Sequence, residues 1–494
     1  MTDQPPQIAF DNSYARDLEG FYVPWSGAAV PAPTVLRLNG ELADELGIDA
    51  DALSGPGGAA LLTGATLPEG AASIALAYAG HQFGGFSPQL GDGRALLVGE
   101  VIDRSGRRRD IHLKGSGRTP FSRGGDGKAV LGPVLREYLI GEAMHALAIP
   151  TTRALAVSLT GEEVLRNGPE KGAVLARVAA SHLRVGTFQF FAARRETEKV
   201  RQLADYAIAR HYPDIADRND RYLEFFRRVR DAQAALVARW VLVGFVHGVM
   251  NTDNMTISGE TIDYGPCAFI DSYDPKAVFS SIDRFGRYAY GNQPTIAQWN
   301  LTRFAETLIE LVNADDAEDA IRQLTNEMSA FPFHYQQEWL RGMRAKLGLV
   351  NERPADLDLV NELHAAMDGD NVDFTKLFRS LAQAVRGDAA PARALFNEPA
   401  KAFDGWLVRY LRRCGEEDID NQARAAAMDL VNPLYIPRNH KVEEALIAAG
   451  EGDMTAFDRL LAILSHPFEA QEGAESYAEP APRSFGHYTT YCGT

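Results

Sequence analysis

The patterning of this chain predicts an α+β protein with two unlike lobes, a β-rich one in front and a helical one behind, facing each other across a cleft. Three observations predict it. From about Ile74 to Val185 the chain is rich in glycine and in short β-like runs, "RALLVGEVI", "RRRDIHLKG", "ALAVSLTG" and "GAVLARV", bounded by the turn signals "GDG", "RSGR" and "RNGPEKG". One helical pattern interrupts them, "PVLREYLIGEAMHALAI", with Pro133 in its first turn and Pro150 just past its end. From about Asn219 onward amphipathic helical spacing dominates, as in "NLTRFAETLIELVNA" and "FDRLLAILSH". The expected division is an N-terminal extension over 1–73, the β-rich lobe over 74–185, the helical lobe over 186–465 and a polar, proline-containing, flexible and extended tail over 466–494.

Composition narrows the function classes. The 494 residues are 46% hydrophobic, enough for a large core, and 66 acids against 50 bases leave a net charge of −16. That balance argues against nucleic acid or an anionic membrane as the main partner, since both require a basic footprint. A small anion such as a nucleotide needs only a local basic pocket. Three cysteines, Cys267, Cys414 and Cys492, are too few and too scattered for a disulfide framework or a zinc site. The first residues lack a secretory pattern, and the most apolar stretch, "LVARWVLVGFVHGVM" (Leu236–Met250), is too short for a bilayer and reads as a buried helix. A cytoplasmic setting without membrane contact is the expectation.

The chemistry-bearing residues cluster around "HGVMNTDNMTISGETIDYG", His247 to Gly265. Asp263, followed by Tyr264 and Gly265, resembles the metal-binding Asp-Phe-Gly of protein kinases. By itself Asp-x-Gly is usually a turn. Asn254 changes that, because His247 to Asn254 matches the His-Gly-Asp-x-x-x-x-Asn spacing of phosphotransferases with one departure, Val249 where the usual base stands. Asn254 and Asp263 offer two oxygen ligands to a hard cation such as Mg²⁺ or Mn²⁺, with nucleotide phosphates completing the shell. Lys114 ends a strand-like run and Glu137 lies on the following helix, the order of a kinase's phosphate-orienting ion pair. Gly91, Gly93 and Arg94 in "LGDGRALLVGEV" form a glycine loop that is weak evidence alone, more often a hairpin turn than a phosphate cradle. Asp126 and Gly127 lie in a second small-residue loop near Lys114, whose bland reading is a mobile loop without ligand. Arg177 and Arg184 stand seven apart and share a face if that stretch is helical; they suit a polyphosphate or are plain surface charges. His81 and His247 read as structural, and "NPLYIPRNH" (Asn432–His440) as loop structure.

Together with "AGHQFGGFSPQLGDGRA", "HLKGSGRTPFSRGGDGKAVL", "REYLIGEAMHAL", "DYGPCAFID" and the terminal "YCGT", these strings resemble the selenoprotein O family of protein adenylyltransferases over most of the chain. The resemblance implies a protein-kinase-like, pseudokinase bilobal fold. It implies ATP bound in a flipped orientation, with Lys114, Arg177 and Arg184 on its phosphates and Asp126-Gly127 at a nucleotide contact. It further implies Asn254 and Asp263 on Mg²⁺ or Mn²⁺, Asp253 as base, and transfer of AMP to Ser, Thr or Tyr hydroxyls of client proteins with release of pyrophosphate. The alternative for Asp253 is that it only stiffens its loop through an Asx-type hydrogen bond. Uridylyl transfer from UTP with Mn²⁺ and an inert nucleotide-binding scaffold stay open as alternatives. In some animal relatives selenocysteine stands near the chain end where Cys492 stands here. Cys267 and Cys492 are thus either a reversible disulfide pinning the tail over the site or two free thiols.

Overall fold

In a computed structural model, residues 6–166 and 168–491 are described. The chain is mixed α/β, with a β-sheet region followed by a helical region. An eight-stranded antiparallel sheet runs in the spatial order Tyr22–Pro24, Ile74–Leu76, Ala95–Ile102, Arg108–Lys114, Pro169–Ala179, Arg153–Leu165, Thr34–Leu38, with Ala129–Val130 also paired to Pro169–Ala179. Strand alternation gives this sheet two apolar faces. Val174, Ala176 and Val178 pack with Ile111 and Leu113 against Leu42, Leu46, Leu61 and Leu62 from the first 63 residues. Ala173 and Leu175 point the other way, toward Val134, Leu135 and Leu139 of the Leu131–Ala146 helix. The stretch over 1–73 is therefore part of the sheet region, supplying two of its strands and the helices that cover one face.

The helical region holds two cores. One continues the sheet's helix-covered face, because the Asn439–Glu451 and Thr455–Leu464 helices pack on Leu131–Ala146. The other lies among the helices Phe331–Lys346, Asp356–Met367, Phe374–Val385, Lys401–Cys414 and Asn421–Asp429, around Phe378, Trp406 and Tyr410. Among the described residues no helix is long and apolar enough to cross a membrane.

Two readings of local structure are corrected. The helix expected over Leu236–Met250 ends at Leu242, because Gly244 turns left-handed (φ +76°) and Phe245–Val246 begins a short strand paired with Ala268–Phe269. That break delivers the following loop to the crevice between the two regions. The tail over 466–491 runs along the body: Ala481 N–H donates to Asp271, and Thr490 pairs with Phe279–Ser281 through two backbone hydrogen bonds.

Candidate active site

Strand pairing sets half of the site. Residues directly opposite on antiparallel strands share a face, and Arg177 lies opposite His112, two residues before Lys114. Lys114, His112 and Arg177 thus project together on the side that receives Glu137 from the Leu131–Ala146 helix. Lys114 Nζ donates to Glu137 (2.6 Å) and to Asp263 (2.8 Å), and Arg177 donates to the same two carboxylates at 3.1 and 2.7 Å. Arg177 Nε also donates to His112 Nδ1 (3.2 Å), so the His112 proton lies on Nε2, against Asp92 (3.0 Å). Burial keeps His112 neutral by lowering its pKa.

Arg177 and Arg184 are not on a common helix. Arg177 sits within the Pro169–Ala179 strand, where Leu175 and Val178 are in ladder register, and Arg184 is the N-cap of the Val185–Ala192 helix. They converge nonetheless, because the chain turns back at 180–183. Arg184 stacks on the Tyr78 ring (4.3 Å) with Nη2 3.8 Å from Asp263, and its buried Nε has no hydrogen-bond partner.

Asp263 is the hub of this cluster. It has a positive φ of +62°, a rare and strained conformation for a non-glycine residue that the surrounding ion pairs hold in place. Burial alone would raise its pKa, but the charges of Arg177, Lys114 and Arg184 outweigh that and hold the carboxyl well below the usual range.

The opposite wall is the loop from His247 to Asn254. His247 Nε2 donates to the Ile262 carbonyl (3.0 Å) and ties this loop to the Asp263 turn, the structural role its isolation suggested. Val249 fills the position where a base was missed and lines the cavity; its carbonyl accepts a hydrogen bond from Asn254 Nδ2 (3.0 Å). With Nδ2 so occupied, Asn254 Oδ1 is the atom left to serve as a ligand. Asp253 is buried beside it. Gln82 reaches Oδ2 at 3.4 Å, and Oδ1 has no hydrogen-bond partner. Burial is the main cause of its pKa rising to about 6.

Close backbone approach holds Asp253 there. A Cβ on Gly80 would fall 2.4 Å from Asp253 Oδ1, and one on Gly186 would fall 2.1 Å from the Ala79 carbonyl. Thr252 and Asn251 complete the brace: His81 N–H donates to Thr252 (2.7 Å), which donates to Gln189 (2.6 Å), while Phe83 N–H and Tyr288 donate to Asn251. Gly80, Gln82, Gly186 and Gln189 escaped sequence reasoning. Gly80 and Gln82 lie in the string "AGHQFGG" and Gly186 and Gln189 in "VGTFQ", neither of which has chemistry until it is folded against Asp253.

These walls enclose a cavity of about 280 Å³ lined by Arg94, Lys114, Arg177, Asp253, Asn254 and Asp263. Arg94, Lys114 and Gly265 also line a second space of about 700 Å³, closed by Glu137, Arg136 and tail residues from Phe485 to Tyr491. Gly91 and Gly93 lie just before Arg94 and let its loop pass Phe121, since a Cβ on Gly91 would fall 2.3 Å from that ring. Asp126 is not brought into the cavity. It pairs with Arg166 (2.8 Å) and accepts from Lys128 N–H, while Gly127 (φ +72°) packs on the Gly117 carbonyl.

The donor set fits a hard divalent cation. Among the described residues no three His, Cys, Asp or Glu side chains form a ready-made metal cage. Asn254 Oδ1 and Asp263 are oxygen donors of the kind Mg²⁺ and Mn²⁺ prefer, and a shell built on two such groups draws its remaining oxygens from phosphate and water.

Comparison with known sequences bears on what this cavity does. The sequence model of a family described as "Protein adenylyltransferase SelO" matches residues 6–465. The chain belongs to the SelO family. It is 62% identical over 487 residues to "Protein nucleotidyltransferase YdiU" of Cereibacter sphaeroides, covering 98% of this chain and 99% of the relative. Relatives of the same description from Mycobacterium sp. (57%, 99% of each chain) and Rhodopseudomonas palustris (54%, 98% of this chain and 99% of the relative) agree. This SelO-family chain is thus a nucleotidyltransferase.

Two further residue groups acquire meaning in that light. Cys267, two residues past Gly265, is fully buried, and burial pushes its thiol up to about 11, so it is held as a thiol. Its expected partner Cys492 lies outside the described residues, although Thr490 Oγ1 donates to the Pro266 carbonyl (2.7 Å) next to Cys267. In "NPLYIPRNH", Arg438 is buried against Asp271 (2.6 Å) and Asp373 (3.0 Å), and Asn439 donates to the Phe269 carbonyl. The string thus clamps the segment that leaves the Asp263 turn.

Proposed function

We propose that the chain is a protein adenylyltransferase that transfers AMP from ATP to Ser, Thr or Tyr hydroxyls of client proteins and releases pyrophosphate. On this reading the sheet and helical regions are the lobes of a protein-kinase-like fold, one built on 74–185 with the strands and helices of 1–73 joined to it, the other on 186–465, with 466–494 as the tail. The observation that carries it is the pairing of a buried cationic cluster, Lys114 and Arg177 with Arg184 beside Asp263, with an Asp253 of raised pKa whose Oδ1 has no hydrogen-bond partner, across one cavity.

The cations are the polyphosphate cradle. Arginine forks bind phosphate oxygens, and in a water-excluded site their charge is felt strongly by a leaving pyrophosphate. Asn254 and Asp263 would hold Mg²⁺ or Mn²⁺, which would supply charge neutralisation at the phosphates. Asp253 Oδ1 accepts the proton of the incoming hydroxyl as that oxygen bonds to the α-phosphorus and the bond from the α-phosphorus to the bridging oxygen breaks. A carboxyl with a pKa near 6 is largely ionised at neutral pH and basic enough to assist. The valine at 249 then removes a kinase's base without removing a base from the site.

The test is label transfer to proteins of a lysate, comparing ATP labelled at the α- and at the γ-phosphate, with Asp263→Ala as control and UTP with Mn²⁺ as competitor. Label retained from the α-position alone and lost in the variant is the expected result. Label from the γ-position makes the protein a kinase, preferential competition by UTP makes it a uridylyltransferase, and bound ATP with no transfer leaves an inert scaffold.

A further inference from the structure

The mouth of the cavity carries an apolar rim that the reaction chemistry does not use. Phe83 and Ile282 line the cavity and also a neighbouring depression of about 470 Å³, which continues over Arg284, Phe285, Arg287 and Ile296. Four large apolar side chains in this quarter face solvent: Phe285 is 100% exposed, Ile282 48%, Phe86 42% and Phe83 39%. Scattered exposed apolar residues need no explanation, but a contiguous set beside a reactive group marks a contact surface.

The rim is built rather than loose. Asp283 turns inward and accepts the N–H groups of Arg287 (2.9 Å) and Tyr288 (2.7 Å), closing the loop that displays Phe285. Below it, Ser281 N–H donates to Thr490 and Thr490 N–H to Phe279, so the tail staples the loop at its base. On the other side Phe83 sits at the tip of the Gly80–Ser87 hairpin, its N–H donating to Asn251 and its ring packed at a tilt against Tyr288 (5.1 Å).

The charge of the rim opposes that of the molecule. In a chain of net charge −16, Arg284 is exposed and, like Arg287, has no carboxylate partner among the described residues. The Arg287 guanidinium lies over Trp299 (4.7 Å), and its buried Nε has no hydrogen-bond partner. Arg303 covers the other approach to Trp299 (5.2 Å) and is paired with Glu306. The carboxylate that directly precedes Arg284, Asp283, also lines the depression but is engaged by the loop backbone, accepting from Arg287 and Tyr288 N–H.

We propose that this rim is the docking surface for the acceptor protein, and that it takes a segment bearing aliphatic and acidic side chains around the acceptor hydroxyl. The inference rests on the nucleotidyl-transfer reading and adds to it the class of partner. Phe285, Ile282 and Phe83 bury the aliphatic side chains, Arg284 and Arg287 meet the acids, and the shared wall of Phe83 and Ile282 leads the hydroxyl to Asp253. Aromatic and arginine side chains concentrate binding energy at such contacts, and complementary charge selects the partner.

The test is fluorescence anisotropy of short fluorescein-labelled peptides with one central serine flanked by leucine and aspartate, or by leucine and lysine, against the full chain. The expected result is at least about tenfold tighter binding of the acidic peptide, lost in Arg284→Asp/Phe285→Asp and weakened in Phe285→Ala, with ATP affinity unchanged in both variants. Phe285 is wholly exposed, so its alanine variant does not threaten the fold. Equal binding of the two peptides, or binding unmoved by either variant, overturns the proposal. Acidic-peptide binding that depends on the rim, without α-label reaching the serine, supports the docking surface and counts against the transfer reading.

Discussion

The two aspartates of the cavity, Asp253 buried and Asp263 half-buried, have acidities that move in opposite directions. Asp263 is surrounded by Arg177, Lys114 and Arg184 and stays ionised far below the usual carboxylate range. Asp253 has only a long contact from Gln82 and an unpaired oxygen, and burial lifts it to about 6. The difference teaches how one cavity divides labour. The charge of Asp263 is locked to cations, which on the proposed reading serves binding, whereas Asp253 Oδ1 has no hydrogen-bond partner, which on that reading leaves it to take up a proton. Carboxylates whose surroundings push their pKa values apart carry distinct roles in acid–base chemistry.

Breaking the locked side should cost most. Asp263→Ala is expected to lower nucleotidyl transfer by about 10³-fold or more, read as α-label incorporation. It should also lower stability by about 3 kcal/mol in denaturant unfolding, because the buried Lys114 and Arg177 lose a carboxylate partner. On the free side, Asp253→Asn is expected to lower the transfer rate by about 10²–10⁴-fold while nucleotide affinity holds, since the variant keeps the shape and loses the base. Equal loss of affinity would place Asp253 in binding instead.

Gly80→Ala sharpens the comparison without replacing either carboxylate. The new methyl group meets Asp253 Oδ1, so the rate should drop by about 10²-fold through misplacement of a base whose identity is intact. The pH profile is gentler. With Asp253 required ionised, kcat/KM should fall about tenfold per unit as pH drops below about 6.

The smallest effect is on stability. The pKa of Asp253 is higher folded than unfolded, so ionising it disfavours the fold at pH above that value. Asp253→Asn should therefore gain about 1–3 kcal/mol at neutral pH, a gain that fades as pH falls through about 6 toward 4. A pH-independent difference would mean that packing, not charge, separates the two proteins.

The Lys114–Glu137 pair and the Asn254–Asp263 motif were readable because each follows from order and spacing along the chain. The helices Gln293–Val312 and Thr455–Leu464 were readable because apolar periodicity is written locally. The condition on which Arg177 and Arg184 would share a face, a helix through both, is not met, since seven-residue spacing does not report a strand, a turn and a helix cap in succession. The strands of the first 73 residues were missed because short runs such as "TVLRL" find their meaning only when paired at the sheet edge. Asp126 shows the reverse case: a loop residue with promising neighbours whose salt bridge to Arg166 keeps it outside the cavity.

By itself the sequence determined the two-part α/β make-up, the family, and the residue types able to hold phosphate, metal and proton. These depend on composition, periodicity and linear motif, all local properties. Only the tertiary structure decided that Asp253 lies against Gly80 and Gly186, that His112 and Asp92 back Arg177, and that the tail staples the loop displaying Phe285. These contacts join residues tens to hundreds of positions apart. Burial and the neighbours it supplies, not residue type, set the opposite acidities of the two aspartates.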